Sequence, residues 1–272
     1  MSSPRLPVSY LFVPGDRPDR FAKASAAGAG AVIIDLEDAV AADAKSAARD
    51  HILAWCKALP SSAARPMVRI NDATTAWFAD DLALVGACGL NALMLPKAER
   101  AADVARGVAA LGAGGAVIAI IETVRGVVDV DVVASVPGVQ RLAFGTLDYA
   151  VDAGLSGDER GLVYPASRMA LASRMSGIAT PIAGVTPAID DDAQLDADLA
   201  FARACGFGAK LCIHPRQLER THRAFAPSAE EIDWARRVLA AVASGRGAVA
   251  VDGKMVDRPV VLKARDILDR AD

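Results

Sequence analysis

Eight short apolar runs, each followed by a longer alanine-rich stretch of helical spacing, succeed one another from Ser9 to Ala224. The runs are Ser9–Val13, Ala31–Leu36, Pro66–Ile70, Ala92–Leu95, Ala116–Ile121, Gln140–Phe144, Pro181–Ala183 and Gly208–Ile213. The spacing after them predicts helices over Arg17–Ala27, Ala44–Ala58, Thr75–Ala87, Ala98–Leu111, Val124–Ala134, Tyr164–Met175, Gln194–Cys205 and Pro215–Ala224. The runs are apolar throughout instead of alternating, as strands covered on both faces are. Such a series fits a (β/α)8 TIM barrel better than an open doubly wound sheet. No G-x-G-x-x-G follows the first run to favour a dinucleotide fold.

The barrel is expected over residues 1–225 and a C-terminal extension over 226–272. In the extension, Ser228–Ala243 reads as a helix, Ser244–Gly247 as a linker, Ala248–Val256 as a strand-turn, and a last helix starts at Pro259. This tail is short for a separate fold, so it is expected to pack on the barrel or on a neighbouring subunit.

Thirty Lys and Arg against 33 Asp and Glu leave a net charge of −3, which excludes the basic excess that nucleic acid or an anionic membrane would require. A small-molecule partner is expected. The charge-free stretch Gly107–Ile121 is 15 residues long and rich in glycine, short of the roughly 20 apolar residues that cross a bilayer. The apolar run Val8–Val13 is too brief for a secretory leader, so a cytoplasmic location is expected. Cys56, Cys88, Cys205 and Cys212 have no C-x-x-C spacing, and His51, His214 and His222 form no H-x-x-x-H pair. A metal here would take oxygen ligands.

In a barrel the chemistry sits where the strands end. Those ends read Pro14-Gly-Asp-Arg17, Asp35-Leu-Glu-Asp38, Arg69-Ile-Asn71, Pro96-Lys97, Glu122-Thr123, Asp148 and His214-Pro215. Glu122 and Asp148 end consecutive strands, about 4.8 Å apart plus side-chain reach, and two hard oxygen donors with room for water describe a Mg²⁺ site; the alternative is pairing with Arg125 or Arg141. Glu37 and Asp38 can serve the same network as acceptors or as a base. Arg69 and Asn71 leave their strand on one side, where a guanidinium can grip a substrate carboxylate or neutralise Glu37 and Asp38. Arg17, Arg20 and Lys23, beside a helix that opens with Pro18, suit a phosphate-bearing ligand, or simply a solvated helix face. Lys97 can form a Schiff base with a keto substrate or support the acidic cluster through its charge, and the second reading is preferred. His214 can shuttle a proton or cap a helix.

Taken in series, several segments resemble the citrate lyase β-subunit-like branch of the HpcH/HpaI aldolase superfamily, which includes malyl-CoA and citramalyl-CoA lyases. They are Leu11-Phe-Val-Pro-Gly-Asp-Arg-Pro-Asp-Arg20, Ile34-Asp-Leu-Glu-Asp-Ala-Val40, Val68-Arg-Ile-Asn71, Leu95-Pro-Lys97, Ile121-Glu-Thr123, Phe144-Gly-Thr-Leu-Asp148, Lys210-Leu-Cys-Ile-His-Pro215 and Asp252-Gly-Lys-Met-Val-Asp257. The resemblance implies a (β/α)8 barrel assembled as a trimer or hexamer, with Mg²⁺ held by Glu122 and Asp148. It implies a substrate contact at Arg69, beside which Glu122 and Asn71 are further candidates, and coenzyme A contacts in the loop that carries Pro14, Arg17 and Arg20. Asp257 matches an aspartate that enters the active site of the adjacent subunit and, with Glu37 and Asp38, is a candidate to move the proton. The reaction implied is Mg²⁺-dependent cleavage of a carboxylate-bearing β-hydroxyacyl-CoA of citryl, malyl or citramalyl type into a keto acid and a shorter acyl-CoA, or the reverse. The alternatives are a keto-acid aldolase independent of coenzyme A and a coenzyme A-binding subunit that needs a partner. One departure stands out: many relatives read Gly-x-Glu-Asp where this chain has Gly145-Thr-Leu-Asp148.

Overall fold

The computed structural model describes residues 6–60, 62–157, 159–243 and 250–271. Eight parallel strands close into a barrel in chain order: β1 (Ser9–Pro14), β2 (Ala31–Asp35), β3 (Met67–Arg69), β4 (Ala92–Leu95), β5 (Ala116–Ile121), β6 (Val139–Phe144), β7 (Ile182–Ala183) and β8 (Ala209–Cys212). Closure runs through β1 and β8, where Ser9, Tyr10 and Leu11 face Lys210, Leu211 and Cys212. The fold is therefore the (β/α)8 TIM barrel.

Period two along each strand sends one set of side chains inward. Tyr10, Ile33, Met67, Met94, Ile118, Ile120, Ala143, Ile182, Ala209 and Leu211 pack together as the barrel interior. The opposite set, including Leu11, Ile34, Val68, Leu93 and Ala119, is equally buried under the helices. Both faces of the sheet are dry, which accounts for the unbroken apolar runs.

The helices are α1 (Phe21–Ser25), α2 (Lys45–Ala58), α3 (Phe78–Ala87), α4 (Ala101–Leu111), α5 (Val124–Val128), α6 (Val130–Ala134), α7 (Thr146–Asp152), α8 (Arg160–Met175), α9 (Asp192–Ala204) and α10 (Leu218–Phe225). Three depart from the periodicity. The stretch after β1 begins as a 3-10 turn over Pro18–Arg20, and only Phe21–Ser25 is α-helical. The expected helix Val124–Ala134 is two helices that meet at Asp129, whose ψ of 12° leaves the helical region within a run of β-branched valines that hold a helix weakly. An unexpected helix, α7, follows β6 directly and carries Asp148 in its first turn. Asp148 is thus a helix residue and not a strand terminus.

Contacts divide the chain into two compact units, one up to Thr221 and one from His222. The second holds α11 (Ala229–Ala243), the antiparallel pair β9 (Ala250–Val251) and β10 (Lys254–Met255), and α12 (Arg258–Ala271). Ala235, Val238, Ala264 and Ile267 form its own apolar cluster, flanked by Trp234, Val251 and Val256. The expected linker Ser244–Gly247 and the first two residues of the strand-turn lie outside the described residues. Among the described residues no helix is long and apolar enough to cross a membrane.

Arg141 closes the N-terminal end of the barrel. It is 2% exposed, and its guanidinium donates to Pro7 O (2.7 Å), Thr180 O (2.7 Å) and the Tyr10 hydroxyl (3.2 Å). It thereby ties the segments that enter β1 and β7 to β6. Replacing it by Leu removes the charge but orphans two carbonyls, each costing about 1–3 kcal/mol. Arg141→Leu is therefore expected to lower the unfolding free energy by about 2–5 kcal/mol in urea titrations, with no change at the opposite end of the barrel.

Candidate active site

The C-terminal ends of β2 to β5 carry a chain of charges of alternating sign. Arg69, at the end of β3, donates from Nε and Nη2 to the two oxygens of Asp35, both at 2.7 Å. Its Nη1 lies 2.8 Å from Glu37 Oε2 and 3.5 Å from Asp38. The other oxygen of Glu37 accepts from Lys97 Nζ at 2.7 Å, and the Lys97 backbone N–H donates to Glu122 Oε1 at 2.8 Å. Asp35 also accepts from the Glu37 and Ala39 amides, which winds the β2 exit into a tight turn. Behind that turn the buried Lys45 donates to the Leu36 and Glu37 carbonyls. Lys97 itself stands at φ +46°, a strained conformation for a side-chain-bearing residue, and the hydrogen bond from its backbone N–H to Glu122 holds it there.

Two cavities of about 380 Å³ each open among these groups. The first is lined by Phe12, Pro14, Asp35, Asp38 and Arg69 on one side and by Ile120, Glu122, Phe144, Leu147 and Asp148 on the other. The second is lined by Lys97, Glu122, Thr123, Leu147, Asp148, Val151 and Asp152. Glu122, Leu147 and Asp148 border both. Glu122 is buried and Asp148 exposed. The close approach of β6 to Glu122 requires Gly145: a β-carbon there would fall 2.3 Å from Glu122 Oε2 and 2.4 Å from its Cβ. Asp152 secures α7 from its far end by accepting the Val124 amide at 2.7 Å.

Burial raises the Glu122 carboxyl to about 8, helped by the charges of Glu37 and Asp148 and opposed by the Lys97 amide. Burial raises Glu37 as well, against the pull of Arg69 and Lys97. Desolvation works against charge on Lys97, but Glu37, Glu122 and Asp38 outweigh it and keep the ammonium well above its ordinary range. Arg69 is likewise buried yet firmly cationic, held by Asp35, Glu37 and Asp38. With Glu122 ionised, five carboxylates (Asp35, Glu37, Asp38, Glu122, Asp148) face three cations (Arg69, Lys97 and, behind the turn, Lys45), so the ensemble is then short of positive charge.

The remaining expected residues are dispersed. Pro14 lines the first cavity, whereas Arg17 pairs with Asp19 at 2.9 Å on the surface and Arg20 is exposed. Asn71 lies two residues past Arg69, but β3 ends at Arg69 and the alternation ends with it; the Asn71 amide turns instead onto Asp81 Oδ2, at 2.7 Å. His214 Nδ1 accepts the Arg216 amide at the start of a 3-10 turn. Asp257, in the second unit, is exposed and accepts the Val260 amide at the start of α12. The alternative in which Arg125 or Arg141 neutralises the acidic pair does not hold: Arg125 sits 3.5 Å from Asp129, and Arg141 is at the other end of the barrel. Sequence reasoning passed over Asp35 as the partner of Arg69, although it stands at a strand end two residues before Glu37. It also passed over Lys45 and Asp152, which nothing in the local pattern marks. Among the described residues no group of three or more His, Cys, Asp or Glu side chains converges as a metal-ligand set; the cavities offer the pair Glu122 and Asp148.

Residues 8–215 match the model of the HpcH/HpaI aldolase/citrate lyase family. The chain belongs to that family. An HpcH/HpaI relative from Mycobacterium tuberculosis, described as citrate lyase subunit beta-like protein, is 39% identical over 269 residues, spanning 96% of this chain and 94% of its own length. The (3S)-malyl-CoA thioesterase of Cereibacter sphaeroides is 34% identical over 277 residues, covering 97% and 94% of the two chains. A crystal structure of the CitE protein of M. tuberculosis in complex with magnesium, acetoacetate and coenzyme A superposes with a TM-score of 0.84 at 39% identity, covering 97% of each chain. Family membership makes the chain a relative of lyases and aldolases.

Because the native state holds the Glu122 proton up to about pH 8 while the unfolded chain releases it near 4.5, the stability this carboxyl contributes is complete below pH 4.5 and is lost as pH rises to about 8. In metal-free protein Glu122→Gln is therefore expected to melt higher than wild type at pH 8.5, with an unfolding free energy larger by on the order of a few kcal/mol, and to differ little from it at pH 4.5. A pH-independent difference in melting temperature contradicts this burial-driven shift.

Proposed function

We propose that the protein is a Mg²⁺-dependent carbon–carbon lyase that cleaves a carboxylate-bearing β-hydroxyacyl-CoA of citryl, malyl or citramalyl type into a keto acid and a shorter acyl-CoA, or catalyses the reverse condensation. The observation that carries the reading is that Glu122 and Asp148 border one cavity that the largely buried Arg69 also lines. The donor set fits the ion: two carboxylates facing open space suit Mg²⁺, which binds few protein oxygens and keeps several waters. The surplus of carboxylates over cations calls for a divalent charge in the same place. Glu122 and Asp148 would hold it, and when bound it supplies Lewis-acid stabilisation of negative charge on substrate oxygens.

The chain's own groups then divide the work. Asp35 takes two of the five N–H groups of Arg69, leaving donors for the substrate carboxylate that becomes the keto acid's. As the bond between the α and β carbons breaks, its electron pair passes to the thioester enolate while the β-hydroxyl gives up its proton. Asp38 is exposed on the cavity wall and is the base candidate within this chain, while Glu37 is held between Arg69 and Lys97. The coenzyme A arm would pass Pro14 and meet the surface arginines Arg17 and Arg20, whose charge suits phosphate. Lys97, paired and cationic, is a poor Schiff-base amine, which disfavours the aldolase independent of coenzyme A.

The reading places the enzyme in the cytoplasm as a homo-oligomer, a trimer or hexamer, in which Asp257 of one copy serves the cavity of the next. Exposed Val128, Val151 and Met175, 63%, 84% and 79% exposed, give the barrel apolar surface for such an assembly.

Assays of citryl-, malyl- and citramalyl-CoA with and without Mg²⁺ are expected to show metal-dependent cleavage of at least one, with product analysis separating lysis from the thioester hydrolysis for which the Cereibacter relative is named. Glu122→Ala and Asp148→Ala should each lose more than about 100-fold in kcat; near-wild-type rates in both would remove the metal assignment. Asp257→Ala and Glu122→Ala should be inactive separately. Dissociated and reassembled together they should recover a fraction of the activity, whereas no recovery contradicts a site shared between copies.

A further inference from the structure

Lys210, the second residue of β8, is 1% exposed. Its neighbours Ala209 and Leu211 point into the barrel, so the alternation turns Lys210 outward, behind the wall of the active-site cavity. A buried ammonium is costly unless its protons are used. This one donates to Gly184 O at 2.6 Å, with Asp198 4.0 Å away.

Gly184 is where the barrel is weakest. It follows β7, the shortest strand, which meets β6 through the single pair Ala143↔Ile182. A β-carbon at position 184 would fall 2.7 Å from Phe144 O and 2.7 Å from Thr146 Oγ1. The backbone there thus lies directly against the exit of β6 and the first residue of α7, two residues before Asp148. Further along, Gln217 donates to Thr186 O at 2.9 Å and Thr186 bonds Asp198, fixing the far end of the segment. On the outer side a cavity of about 70 Å³, lined by Leu162, Phe201, Phe207 and Lys210, adjoins the segment. The lysine hydrogen bond holds the segment beside that gap.

We propose that Lys210 is a positioning residue for the cation site: through Gly184 it holds the start of α7 in place and so sets Asp148 beside Glu122. This rests on the metal reading above. Mg²⁺ titration calorimetry on the full chain tests it without recourse to turnover. Lys210→Met is expected to weaken Mg²⁺ binding about tenfold or more, as loss of groups that orient a ligand does. Lys210→Arg, which can still donate to Gly184 O and has the adjoining cavity for its larger head, should stay near wild type. In an Asp148→Asn background Lys210→Met should add no further loss. Gly184→Ala, whose β-carbon would press on Phe144 O and Thr146 Oγ1, disturbs the junction of Gly184 with the start of α7 and reaches the same readout even where Lys210→Met does not fold. Wild-type affinity in Lys210→Met or in Gly184→Ala, or an equal loss with Asp148 already replaced, overturns this inference alone. Absence of Mg²⁺ binding by the wild-type chain overturns the metal reading along with it.

Discussion

The bidentate pair between Arg69 and Asp35 is the interaction on which the site depends. Both groups are nearly dry, so neither can go unpaired without a large desolvation cost, and each organises a neighbour. Asp35 uses its remaining capacity to wind the β2 exit, which delivers Glu37 and Asp38. Arg69 steadies Glu37, Glu37 fixes Lys97, and the amide of Lys97 fixes Glu122. Four consecutive strands are thereby tied together at their C-terminal ends by charge, above an apolar interior.

That arrangement leaves Glu122 in a conflicted position. It is buried, next to other carboxylates, and receives one backbone hydrogen bond. A group kept so far from its ordinary ionisation is stable only while protonated or while facing a positive charge supplied from outside the chain. The strain at Lys97 and the close approach at Gly145 are both spent on holding this one carboxylate at the cavity. Stored cost of this kind collects where a protein needs a preset geometry.

The strand ends were legible because the barrel imposes its own grammar. An apolar run must stop where the sheet meets water, and the polar residues at that point face one common mouth. Arg69, Glu37, Asp38 and Glu122 could be read that way. Asn71 could not, since period two holds only while the strand lasts and β3 ends at Arg69. The helix α7 escaped notice because its seven residues are too few to establish a period. Lys45, Asp81 and Asp152 act across 8 to 28 positions of sequence, and no local pattern encodes such pairings.

By itself, then, the sequence determined the number of strands, their order, their two-sided burial and the residues at their exits, because these follow from periodicity and from the exclusion of charge from a dry sheet. Which exit residues meet was decided only in three dimensions. Closure of the barrel brought Glu37 to Lys97 over 60 positions and Arg141 to Pro7 over 134. Distances set by register and tilt, not by the chain's local chemistry, chose the partners, left Glu122 and Asp148 around shared empty space, and bonded Arg17 to Asp19 and Asn71 to Asp81.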